Sequence, residues 1–71
     1  MAVYRIEEPK KAVKYVKEID EHNCKLTFTT SKSQAYSRGD GIVGNSVAQY
    51  LKFHFMEDYP ELEYMKVESS W

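Results

Sequence analysis

The stretch KKAVKYVKEIDEHN, from Lys10 to Asn23, decides the fold. Ala12, Val13, Val16 and Ile19 share one helical face, and Pro9 suits a first helical position. No Ser, Thr, Asp or Asn stands where an N-cap is needed, however. Val13, Tyr15, Val16 and Ile19 are also β-branched or aromatic, which favours a pleated strand. The balance favours a strand, with a helix over residues 10–22 as the alternative.

Upstream, Val3 to Glu7 is short, β-prone and followed by Pro9, so a first strand should end at the proline, which cannot donate to a ladder. Downstream, Leu26, Phe28 and Thr30 alternate with Lys25, Thr27 and Thr29, the pattern of a half-buried strand. Glu21, His22 and Asn23 then form a hairpin turn, with Asn23 supplying a left-handed position. Ser31 to Gly44 is polar and holds all three glycines, which reads as a loop with one helical turn near Ser33 to Tyr36. A helix is expected from Asn45 or Ser46 to about Glu57, since Pro60 forbids continuation. Leu62 to Glu68 closes the chain as a strand, followed by Ser69, Ser70 and Trp71.

The order β-β-β-α-β predicts an α+β domain, an antiparallel sheet of three to four strands with one main helix across a face. A helix at residues 10–22 would give β-α-β-α-β, still α+β. At 71 residues the chain makes a single domain, 1–71. With 42% hydrophobic residues it has enough apolar surface to offset chain entropy, so a folded state is expected.

The succession Lys14-Tyr15-Val16-Lys17, Leu26-Thr27-Phe28-Thr29 and Lys32 to Ala35, then an amphipathic helix and a closing strand, resembles small uncharacterised phage and prophage proteins of Gram-positive bacteria. The likeness covers about residues 3–68 and rests on structural motifs. It implies a sheet-plus-helix module of phage origin. It implies no activity, because that group has no shared chemistry, and Gly39-Asp40-Gly41 has no counterpart in it.

Charge narrows the partners. The net charge of −1 exerts no global pull on nucleic acid or anionic lipid, although residues 1–40 carry +2 and residues 41–71 carry −3. The single cysteine, Cys24, excludes an internal disulfide and points to a reducing compartment. The N-terminus lacks an apolar signal core and no run approaches membrane-span length, so a cytoplasmic protein without membrane contact is expected.

Catalytic and cofactor chemistry finds little to stand on. Gly39 to Gly44 matches G-x-G-x-x-G, but Ala35 to Arg38 is no buried parallel strand, and a flexible loop is the simpler account. His22, Cys24 and His54 do not make the closely spaced ligand pairs of a zinc site; a turn histidine, a buried thiol and a border histidine explain them. Cys24 beside His22 lacks a third, orienting group. No catalytic, cofactor or metal site is expected.

The helix carries the strongest signal. Val43, Val47, Leu51 and Phe55 form its core stripe, with Ala48 and His54 at the edges. Phe53 and Met56 project to the other side, where Trp71 covers them or a partner meets them. Tyr59 and Tyr64 stand among Glu57, Asp58, Glu61, Glu63 and Glu68, a composition suited to a basic partner, although a solvated rim is the plainer reading. The expected function is a small non-enzymatic interaction module, phage-encoded and binding a host protein through Phe53, Met56, Tyr59, Tyr64 and Trp71. A homodimer through Phe53 and Met56 is compatible with this. The second reading is a nucleic-acid-binding module using Lys10, Lys11, Lys14, Tyr15 and Lys17, although Glu7, Glu8, Glu18, Asp20 and Glu21 interleave with that set.

Overall fold

The computed structural model describes residues 1–38 and 41–69. Four strands, β1 (Ala2–Ile6), β2 (Lys14–Asp20), β3 (Lys25–Thr29) and β4 (Met65–Ser69), form one sheet in the order β3-β2-β1-β4. Every neighbouring pair is antiparallel, and one helix, α1 (Gly41–Phe55), packs on the sheet. The α+β architecture is the expected one.

The Lys10–Asn23 stretch is turn and strand. Pro9 and Lys10 sit at the centre of a turn that Lys11 N–H closes on Glu8 O at 3.3 Å, with Lys10 at φ 62°. In β2, Val16 faces Phe28 while Glu18 faces Thr27, so Lys17 is an extra residue that forms a bulge. That single insertion brings Val16 and Ile19, three apart, onto the same side of the sheet, where both meet the core. The helix-like spacing is therefore a strand with one bulge.

Beyond the bulge β2 leaves β1, which it pairs only at Arg5–Tyr15 and Ile6–Lys14. The segment Tyr36 to Arg38 fills the opening. Tyr36 N–H donates to Val16 O at 2.8 Å, Arg38 N–H donates to Ala2 O at 3.1 Å, and Ser37 bridges Val3. Those bonds satisfy backbone groups that the diverging strands leave exposed.

The core lies between sheet and helix: Tyr4, Ile6, Val16, Leu26, Leu51, Phe55, Leu62 and Met65. The helix begins at Gly41 rather than at Asn45 or Ser46, and Gly44 explains why. A Cβ on Gly44 would stand 3.1 Å from both Ala2 Cβ and Val67 Cγ1, so this glycine lets the helix seat directly on β1 and β4. Leu62 and Tyr64 are not in a strand but in a 3-10 turn, Pro60–Tyr64, which feeds β4 and sets Leu62 and Met65 three apart into the core. The β2–β3 turn also differs: Cys24, not Asn23, takes the left-handed position at φ 53°. Asn23 is held by Asp20, whose carboxylate accepts from its backbone N–H at 3.1 Å and its side-chain amide at 2.8 Å. Cys24 is exposed, not buried.

Candidate functional site

A groove of about 290 Å³ opens between the first half of α1 and the β2–β3 hairpin. Ile19 from β2, Tyr36 from the inserted segment, and Val43, Val47 and Tyr50 from α1 line it, with Glu21 and Arg38 at its rim. The β2 bulge makes it, because Ile19 turns inward there while the strand swings away and admits Tyr36.

The rim is polarised. Arg38 Nη1 donates to the Tyr36 hydroxyl at 3.4 Å, and that bond, with the electrostatic influence of the Tyr36 phenol group, raises the pKa of Arg38 above its ordinary value. Tyr36 stacks at 6.2 Å on Tyr4, whose hydroxyl donates to Arg38 O at 3.1 Å. Burial raises the Tyr4 pKa, with Tyr36 adding to the effect and Arg38 opposing it. Desolvation likewise raises that of Tyr50, reinforced by a hydrogen bond to Glu21 and by its charge. Both phenols stay neutral at ordinary pH, and the formal charges at the mouth are Arg38 and Glu21.

From the groove an aromatic strip continues along the helix. Tyr50 and His54 lie 4.4 Å apart between ring centroids, and Phe53 meets His54 edge-on at 5.1 Å. Phe53 is 85% exposed, the most open of the large apolar side chains among the described residues, and Val43 at the groove edge is 51% exposed. Val43 and His54, expected to face or border the core, thus belong to the open side.

The five expected contact residues separate. Phe53 points outward as its helical position requires. Met56 does not: it follows the last residue of α1, its N–H still donating to Lys52 O at 3.3 Å, and its side chain packs half-buried against the core. The Tyr59 hydroxyl accepts from Leu26 N–H at 3.0 Å, and its ring meets Phe28 edge-on at 5.7 Å; it seals the outer edge of β3. Tyr64 is 41% exposed on the 3-10 turn, apart from the groove lining. Trp71 lies outside the described residues, as do Gly39 and Asp40.

The basic segment is not one surface. Lys14 Nζ sits 3.0 Å from Glu61, 3.7 Å from Glu8 and 4.3 Å above the Phe28 ring. Tyr15, the intended stacking ring, is only 8% exposed. Lys11 pairs with Glu8 at 3.3 Å, which leaves Lys10 in the turn and Lys17 at the bulge outside any described ion pair. In the acidic group, Glu61 is held by Lys14, and Glu68 by Arg5 and Lys32, each at 3.5 Å.

Gly44 serves helix packing, and the segment ahead of α1 bridges β1 antiparallel at Val3–Ser37, whereas a dinucleotide motif follows a parallel strand. Among the described residues no three His, Cys, Asp or Glu side chains group to hold a metal ion, and no helix is long and apolar enough to cross a membrane.

Sequence reading passed over Ile19, Tyr36, Arg38 and Tyr50 because they come from three separate segments. The one available signal was that Val43, Val47, Tyr50 and His54 share an edge of the helix. A comparison with protein-family models, curated proteins and solved structures finds no match for this chain.

Proposed function

We propose that this protein is a small non-enzymatic interaction module that binds another protein stoichiometrically through the groove and the Phe53 strip beside it. The resemblance to phage and prophage proteins supports a host protein as the target. The carrying observation is Phe53: a phenyl ring left 85% exposed on a helix, joined through His54 and Tyr50 to a groove with an apolar lining. Aromatic side chains are enriched at interface centres, where a few anchors dominate binding. The groove is at the small end of ligand pockets, sized for one or two side chains of a partner. Arg38 and Glu21, opposite in charge at its mouth, orient the incoming segment.

Burying one phenyl ring contributes about 1.5–3 kcal/mol, so Phe53→Ser should weaken binding roughly 10- to 100-fold. The test is affinity capture from a Gram-positive lysate with wild type, Phe53→Ser and Val43→Asp, folding being checked by circular dichroism. Both positions are exposed, so both variants should fold. Loss of the same captured protein from both supports the proposal. Equal recovery by all three proteins overturns it.

A further inference from the structure

The open end of the sheet, far from the groove, carries a second surface. Glu7 N–H donates to Tyr64 O, and Arg38 N–H donates to Ala2 O on the other side of β1. In the register that sets Val3 against Glu68 and Arg5 against Lys66, the backbone groups of Val3, Arg5 and Glu7 therefore face β4. Those of Glu68, Lys66 and Tyr64 face back, and Met65, Val67 and Ser69 turn theirs outward. Met65 N–H is used, donating to Leu62 O. Among the described residues nothing bonds to the N–H or C=O of Val67.

Lys66 and Glu68 flank Val67 and lie on the sheet face away from the helix, where Lys66 reaches Glu7 at 3.7 Å and Glu68 reaches Arg5 at 3.5 Å. An edge guarded by lysine alone would repel every copy of itself. A Lys-x-Glu edge is instead self-complementary in one register.

We propose that β4 pairs antiparallel with β4 of a second copy of this chain, centred on Val67 against Val67. Backbone phase allows only outward residues to face outward residues. Centring on Val67 sets Lys66 of each copy opposite Glu68 of the other. A slip to either neighbouring permitted register sets Lys66 against Lys66 or Glu68 against Glu68, and like charges directly opposite are destabilising. The centred register gives four backbone bonds: Val67 N–H to Val67 O and Ser69 N–H to Met65 O, each made twice by symmetry. The two sheets join into one, β3-β2-β1-β4 continuing into its mate, with both helices on the same face. Each groove stays open on the β2 side of its own helix, so this dimer does not rest on the groove proposal.

Sedimentation equilibrium from about 10 μM to about 1 mM tests it. Wild type should approach twice the 8.3 kDa chain mass as concentration rises. Lys66→Glu and Glu68→Lys, each alone, should weaken self-association about tenfold or more, because both symmetry-related pairs become repulsive. An equimolar mixture of those two variants should recover the dimer, since every facing pair then joins opposite charges. Val67→Pro should be monomeric with a wild-type circular dichroism spectrum, because the N–H it removes plays no part in the β1–β4 ladder. A wild type that stays at the single-chain mass throughout overturns the proposal. So does undiminished dimerisation of either charge variant, or a mixture no heavier than its components. Should a charge variant fail to fold, a dimer persisting in Val67→Pro overturns it independently.

Discussion

Gly44→Ala sets two effects of known sign against each other. In a helix interior the change is favourable by about 1 kcal/mol, because alanine loses less conformational entropy. Here the new methyl would meet Ala2 Cβ and Val67 Cγ1 at 3.1 Å each. Ala2 Cβ has no rotamer to escape through, and Val67 sits in a paired strand, so the helix must lift by a few tenths of an ångström. Overpacking of this kind costs about 1–3 kcal/mol, which leaves a net loss of about 1 kcal/mol. For a domain of this size that lowers Tm by roughly 4–8 °C. Asn45→Ala, at an exposed position one residue on, should gain a few tenths of a kcal/mol by propensity alone and raise Tm slightly. In the Gly44→Ala background, Val67→Ala should cost less than it does in wild type, because it removes one of the two clashing groups. Thermal unfolding followed by circular dichroism measures the four variants (Gly44→Ala, Asn45→Ala, Val67→Ala and the Gly44→Ala/Val67→Ala pair) beside wild type. A Gly44→Ala protein more stable than wild type would show that the helix is not seated on Ala2 and Val67.

Three further outcomes follow from the turns and the bulge. Lys10→Gly relieves a left-handed residue at a cost of about 1–2 kcal/mol and gives back about 0.5–1 in chain entropy. The net gain of about 0.5–1 kcal/mol should raise Tm by roughly 2–8 °C, and a lower Tm would contradict the turn geometry. The hydrogen bonds from the Asn23 side chain and backbone hold the Asp20 carboxyl below its ordinary 3.8, so their stabilisation is present above that value and lost as pH falls through the folded pKa. Urea titrations of wild type and Asn23→Ala should therefore converge at acid pH; a constant gap from pH 7 to about pH 2 would contradict this. Deleting Lys17 should keep Ile19 against Leu26 while straightening β2 and losing the Tyr36–Val16 and Arg38–Ala2 bonds, a cost of about 1–3 kcal/mol. Nuclear Overhauser effects between Ile19 and Leu26 that vanish on deletion would refute the bulge assignment.

The fold was legible where local chemistry and tertiary demand agree. The alternation of Leu26 and Phe28, the stop at Pro9 and the single amphipathic helix all stand as expected. Reading failed where one residue serves a distant contact. Gly44 has loop chemistry but occupies the helix, because Ala2 and Val67 leave no room for a side chain. Val16 and Ile19 carry a helical spacing because Lys17 is bulged, which depends on the partner strand. Met56, which follows the last residue of α1, packs against the core although helix phase sets it outward. Of the site, only Phe53 was legible, since its exposure follows from helix phase alone. The groove was not, because Ile19, Tyr36 and Tyr50 meet only once β2 has bent and the inserted segment has filled the opening.

Nuclear magnetic resonance titration of the labelled chain with its captured partner, followed through backbone and methyl shifts, tests binding through the groove and Phe53. Saturating changes should be confined to Ile19, Tyr36, Val43, Val47, Tyr50 and Phe53, with the turn from Glu8 to Lys14 unmoved. Changes centred on Lys10, Lys11 and Lys17, with Phe53 and Val43 unmoved, would contradict binding there.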